Sequence, residues 1–152
     1  MQATHHPKRA IAGFTLVELM IVVAIIAVLT AIAVPSYLKY LQTSRRSDAW
    51  AALTLDQGIL ERCYAQTFDY YNASTGTNCG TFVATSPGGY YAVVMDVPAP
   101  SSTTSAYLLT AAPSAGSPQA NDTQCTTISL SSTNGKQATG SGPNPSSTCW
   151  QQ

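Results

Sequence analysis

The chain has 152 residues, of which 45% are apolar and only 9% charged, and its formal net charge is zero. That length supports one modest core, not several domains. The charge balance argues against a broad electrostatic footprint for nucleic acid, because loss of residues 1–13 would remove Lys8 and Arg9 and leave a mildly acidic remainder.

The histidines, His5 and His6, both lie before residue 13. Beyond them there is no nucleotide-binding loop, no Ser/His/Asp set and no EF-hand-like run of acids, so neither an enzyme nor a cofactor is expected. Leu16 to Val34 is apolar apart from Glu18 and Thr30. As a helix this stretch would be about 28 Å long, close to the hydrocarbon thickness of a bilayer. Lys8 and Arg9 precede it, so the positive-inside rule keeps the N-terminus in the cytoplasm and sends the rest outward. Cys63, Cys79, Cys125 and Cys149 all follow the apolar block. An even count in an exported domain reads as two disulfides, and without C-x-x-C spacing no metal site is expected.

Two other readings fit the same stretch. One is a cleaved secretory signal with Ala31-Ile32-Ala33 as its processing site. The other is a permanent single-span anchor. Neither has a use for Glu18. A carboxylate in a spanning helix costs about 2.5–3.5 kcal/mol at the centre and less near an end. Glu18 therefore either snorkels to the cytoplasmic face or awaits a partner. A cut after Gly13 would place a new α-amino group on Phe14, about one helical turn away. In an assembly, the Glu18 of one chain could neutralise that amine on another and fix their register, since an unpaired buried charge is expensive.

The run Lys8-Arg9-Ala10-Ile11-Ala12-Gly13-Phe14-Thr15-Leu16-Val17-Glu18-Leu19 resembles the processing motif of type IV prepilins. The resemblance implies a prepilin peptidase that cuts between Gly13 and Phe14 and methylates Phe14, with Glu18 and Phe14 serving assembly. Pro35, followed by Tyr37 and Tyr40, falls where pilin helices commonly carry a proline, and Ala27 stands near where many carry a glycine. Pro35 should bend or loosen the helix, or on the plainer reading end its membrane part. Taken whole, the chain is similar to a minor pilin of a Gram-negative type IV pilus. That implies a leader over 1–13, a membrane and filament-core helix over 14–41 and a globular head over 42–152. The implied partners are the prepilin peptidase, other pilin subunits and, before assembly, the inner membrane. The implied destination is the extracellular pilus, which supports adhesion, twitching motility or DNA uptake. Two alternatives share this N-terminus. One is a pilin that binds DNA or another surface ligand, less favoured because Arg45, Arg46, Arg62 and Lys136 are its only cationic material. The other is a pseudopilin of type II secretion.

The implied fold is α+β, a long N-terminal helix packed on a small antiparallel sheet with a disulfide-closed C-terminal loop. The residues after Ser36 agree with it. Trp50, Leu53, Leu60 and Tyr64 recur at helical spacing and predict a buried stripe to about residue 66. Arg45, Arg46, Asp48, Asp56, Glu61 and Arg62 read as a solvated face. Residues 69–80 form a polar loop that Cys63 and Cys79 could close. Strands are expected over 89–95, 106–111, 125–130 and near 136–138, the last entered through the Asn134-Gly135 turn. Proline and serine between 98 and 104 mark a further turn. Residues 139–147 are rich in Gly, Ser and Pro and would wander unless a bridge pinned them. Four cysteines allow three pairings, and pairing of neighbours, Cys63–Cys79 and Cys125–Cys149, is expected. By the resemblance, residues 126–148 are candidates for subunit or ligand contact.

Overall fold

The structure, a computed structural model, describes residues 13–70, 81–97 and 106–151. It divides into two compact units, one up to Leu38 and one from Lys39 onward. Helix α1 spans Leu16–Thr67 and contains Pro35. Thr15 caps its start, with the hydroxyl oxygen accepting the Glu18 N–H at 3.1 Å. The pattern is half of a capping box, Thr15-Leu16-Val17-Glu18. The helix ends at Phe68, whose left-handed φ of 55° turns the chain while its N–H donates to the Tyr64 carbonyl at 2.7 Å.

The second unit sets the later part of α1 against a four-stranded antiparallel meander. The strands are β1 (Tyr91–Asp96), β2 (Leu108–Pro113), β3 (Thr127–Ser131) and β4 (Gly135–Thr139), in the order β1-β2-β3-β4. A 3-10 turn, Pro118–Asn121, precedes β3, and a short helix α2, Pro145–Cys149, follows β4. The first three strands each start two residues later than the apolar alternation predicts. A shift of two keeps the same side chains facing inward, so the expected core face survives. Tyr91, Val93, Leu109, Ala111, Ile128 and Leu130 point into the core and meet Ala49, Ala52, Leu53, Leu60 and Cys63 of α1. Of the predicted stripe, Leu53 and Leu60 are fully buried, whereas Trp50 and Tyr64 pack at its edge. Ala49 and Ala52 carry little volume and let the helix approach the sheet closely.

The charged residues of α1 correct the sequence reading. They are not uniformly a solvated face, because Arg46 and Asp56 are buried and Asp48 is half-buried. Glu61 and Arg62 are exposed, as expected. Three carboxylates of α1 act as latches on segments that lie outside the four strands. Asp48 accepts from the Ser86 hydroxyl, from the Gly88 N–H at 2.7 Å and from the Tyr90 N–H at 3.4 Å. That grip delays the start of β1, and Arg45 sits 4.9 Å from the Tyr90 ring beside it. Asp56 accepts the Val83 N–H at 2.8 Å. The chain so held runs beside β1, with Val93 N–H donating to Ala84 and Ser86 N–H to Tyr91. This covers part of an edge that would otherwise offer unpaired backbone groups. Glu61 receives the hydroxyls of Tyr70 and Tyr107, each at 3.1 Å. Burial, with the Glu61 charge second, pushes the Tyr107 phenol up to about 12, and burial with the same carboxylate raises Tyr70 further.

The expected turn between 98 and 104 and most of the expected loop over 69–80 lie outside the described residues.

Asp56 has no cation beside it among the described residues, and burial raises its carboxyl above 3.8, outweighing the Val83 hydrogen bond that lowers it. The unfolded chain then ionises before the folded one. Stability attributable to Asp56 is fully present below pH 3.8 and falls as pH rises toward the raised folded value. Asp56→Asn keeps an acceptor for Val83 and removes the charge. In urea titrations at a series of pH values, the variant should be the more stable at pH 7, with the gap closing toward pH 3.8. A variant less stable than the parent at pH 7 would show that the ionised form is compensated.

Candidate functional site: an exposed helix and a stapled head

Within the first unit, every residue from Phe14 to Val34 is exposed. This is a helix long and apolar enough to cross a membrane. Water does not tolerate an apolar surface of that extent on a monomer, so the segment requires another phase or another chain around it. Its polar groups are already provided for. The Thr30 hydroxyl donates back to the Ile26 and Ala27 carbonyls at 2.9 and 3.1 Å, which suits an environment without water. Phe14 and Glu18 come together with Leu19, Val22 and Val23 around a shallow groove of about 230 Å³. Gly13 precedes them and is exposed.

In the head, the polar centre is a buried ion pair. Arg46 Nε donates to Asp122 Oδ2 at 2.8 Å and Arg46 Nη2 to Oδ1 at 2.9 Å, a two-pronged contact with both side chains almost fully buried. The same carboxylate accepts from Gln119 Nε2 at 2.8 Å and from the Cys125 N–H at 3.3 Å. Four donors occupy the lone pairs that a carboxylate offers, which is the condition for burying it. Gln119 Nε2 also donates to the Gln42 carbonyl, which fixes its amide orientation and turns Oε1 away. Gln119 Oε1 and the Tyr91 hydroxyl lack a partner within hydrogen-bond geometry. The Gln119 side chain is nevertheless close enough to lower the Tyr91 phenol. Burial foremost, then the Asp122 charge, outweigh it and push that phenol up to about 12.

The C-terminal segment is fastened by three devices. Cys125 and Cys149 are disulfide-bonded with Cα atoms 5.8 Å apart. A loop of this size gains about 3.5 kcal/mol from closure in the chain-entropy account. Trp150 stacks on Trp50 of α1 at 6.2 Å, and Trp50 Nε1 donates to the Cys149 carbonyl at 2.9 Å. Trp150 Nε1 donates to Gln137, the Ser146 hydroxyl takes the Ala138 N–H, and Lys136 lies 5.0 Å from the Trp150 ring. Gly140 completes the closure, because a Cβ there would collide with the Gln124 carbonyl. As expected of a bridged segment, residues 139–147 are pinned, and they make an ordered return ending in α2. Cys63 is buried and disulfide-bonded, and its expected partner Cys79 lies outside the described residues.

Sequence reasoning expected the Cys125–Cys149 bridge that the structure contains. It missed Asp122 and Gln119, because a single acid in a polar loop carries no signal for a partner 76 residues earlier. Among the described residues no cluster of His, Cys, Asp and Glu is arranged to hold a metal.

An apolar helix that continues into a head built on an antiparallel meander with a C-terminal disulfide defines a pilin. The chain belongs to the type IV minor pilin family described as ComP, DNA uptake sequence receptor, whose model matches residues 35–129. The prokaryotic N-terminal methylation motif matches residues 8–34. Among curated relatives, the fimbrial protein EcpC of Eikenella corrodens is 43% identical over 58 residues, 38% of each chain. The major pilin PilA of Myxococcus xanthus is 60% identical over 37 residues, covering 24% of this chain and 17% of that one. The fimbrial protein FimA of Dichelobacter nodosus is 47% identical over 51 residues, 34% of this chain and 33% of its own. The matched segment spans well under half the length of these relatives. The chain is a pilus subunit of a structural family.

Asp122→Ala should cost about 3–5 kcal/mol in chemical unfolding, because Arg46 would remain buried and uncompensated. Replacing both partners together, Arg46→Met with Asp122→Leu, should recover most of that loss. A cost for Asp122→Ala below about 1 kcal/mol, the range of an exposed pair, would show that the contact does not hold the head.

Proposed function

We propose that the chain is a minor pilin held in the inner membrane as a precursor. On this reading a prepilin peptidase cuts between Gly13 and Phe14 and methylates Phe14. The subunit then joins other pilins in an extracellular filament. The exposed apolar surface from Phe14 to Val34 carries the reading, because lipid covers it first and neighbouring helices cover it afterwards. Glu18 supplies the register by meeting the Phe14 amine of a neighbour, where a mismatched subunit would bury an unpaired charge. Pro35, which removes one helix donor near the end of the apolar run, gives the helix a point at which to bend. The leader is residues 1–13, the membrane and filament-core segment 14–41, and the head 42–152.

A second reading, receptor for DNA, is favoured by one observation, the description of the family model that matches residues 35–129. The head has little cationic material for it. Arg46 is committed to Asp122, Arg45 rests against Tyr90 and Lys136 against Trp150, while Arg62 is exposed.

Mass spectrometry of a sheared filament fraction should find a methylated N-terminal Phe14 at trace level relative to other subunits. A protein that starts at Val34 and is free in the periplasm would overturn the filament reading. For the DNA reading, a duplex gel shift at low salt should fade steeply as salt rises. Replacing Arg62 and Lys136 with Gln should flatten the salt slope by about 2. No shift at low salt would dismiss it.

A further inference from the structure

A polar cleft of about 260 Å³ opens in the second unit, which begins at Lys39, between α1 and the segment that carries Asp122. Lys39, Gln42, Thr43 and Arg46 line one side, and Asn121, Asp122, Thr123 and Gln124 the other. Its charges do not cancel. Asp122 offsets Arg46, and Lys39 remains as an excess cation on an exposed side chain. Arg46 is also only partly used. Nε and Nη2 are committed to Asp122 and Gln124, whereas the Nη1 donors have no acceptor among the described residues. The side chains of Gln42, Thr43, Asn121 and Thr123 likewise make no hydrogen bond among the described residues. Beside the neutralised Arg46–Asp122 pair, the lining offers an ammonium group, two hydroxyls and the side-chain amides of Gln42, Asn121 and Gln124, donors suited to a tetrahedral oxyanion.

The place of the cleft along the chain says which oxyanion. Lys39 follows Val34, the last residue of the apolar run, by five residues. At helical rise that is about 8 Å, the depth of the headgroup layer that flanks a hydrocarbon core. Tyr37 and Tyr40, both exposed, bracket Lys39, as aromatic side chains do at a membrane interface.

We infer that this cleft binds the phosphate of an anionic phospholipid headgroup at the outer face of the inner membrane. It would hold the unassembled subunit's head at the bilayer surface until extraction into the filament. The inference rests on the membrane-precursor reading given above. The site differs from the apolar helix, which confers residence in the bilayer but no preference among headgroups.

The test uses the full chain in nanodiscs of phosphatidylcholine with or without phosphatidylglycerol, released for native mass spectrometry that counts retained lipid. The parent chain should keep one phosphatidylglycerol in preference to phosphatidylcholine. Lys39→Gln should lower its occupancy about fivefold, the effect of one cation near an anionic surface. Lys136→Gln, remote from the cleft, should keep it. Equal retention by the parent and Lys39→Gln overturns the site, even where both enter the disc. Failure of the parent to enter the disc overturns the membrane reading and the lipid site with it. Inorganic phosphate displacing the lipid at equal phosphate concentration would make the cleft a free-anion site. Displacement by a DNA duplex, lost in Lys39→Gln, would make it a nucleic-acid site. Either result overturns the lipid assignment.

Discussion

The buried pair between Arg46 and Asp122 ties together parts of the head that have little else in common. Arg46 belongs to α1, and Asp122 belongs to an irregular stretch just before β3. Through that one carboxylate the helix also reaches Gln119 and the backbone of Cys125. The disulfide, the 3-10 turn and the start of β3 thus take their position from it. An ion pair of this kind adds little net stability over a well-packed apolar substitute. Its effect is specificity, because other placements of the Asp122 segment would strand a guanidinium in the interior.

The other carboxylates of α1 repeat this logic with smaller stakes. Asp48, Asp56 and Glu61 each hold a stretch of chain by its backbone N–H groups or by tyrosine hydroxyls. A four-stranded meander leaves two free edges, and one helix cannot cover both. Here the chain near 84–86 shields β1, and the stapled C-terminal segment shields β4 through Ser146 and Trp150. Both outer strands of the meander are thus partly covered by chain from the same unit.

The apolar part of α1 follows the opposite rule. It shields nothing of its own and is exposed from Phe14 to Val34. An apolar surface of this extent is compatible with lipid and with the helices of other chains, and with neither present it would face water. Its two polar departures differ in kind. Thr30 satisfies itself within the helix, whereas the Glu18 carboxylate is left facing outward in the first turn.

By itself the sequence determined the elements whose cause is local or continuous. The apolar run, Glu18, the strand alternation and the cysteine count could all be read directly, because hydrophobic period and composition act over neighbouring residues. The first three strands start two residues late, yet with the right faces inward, since period sets face and not boundary. Only the tertiary structure decided which charges of α1 are buried. Arg46 and Arg45 look alike in sequence, but one is sealed against Asp122 and the other rests on Tyr90. The bridge that pins residues 139–147 was expected, but the tryptophan stack and the glycine pressed against Gln124 that help it were not. These depend on groups brought together from distant parts of the chain, and a burial penalty has no meaning until the partner that offsets it is in place.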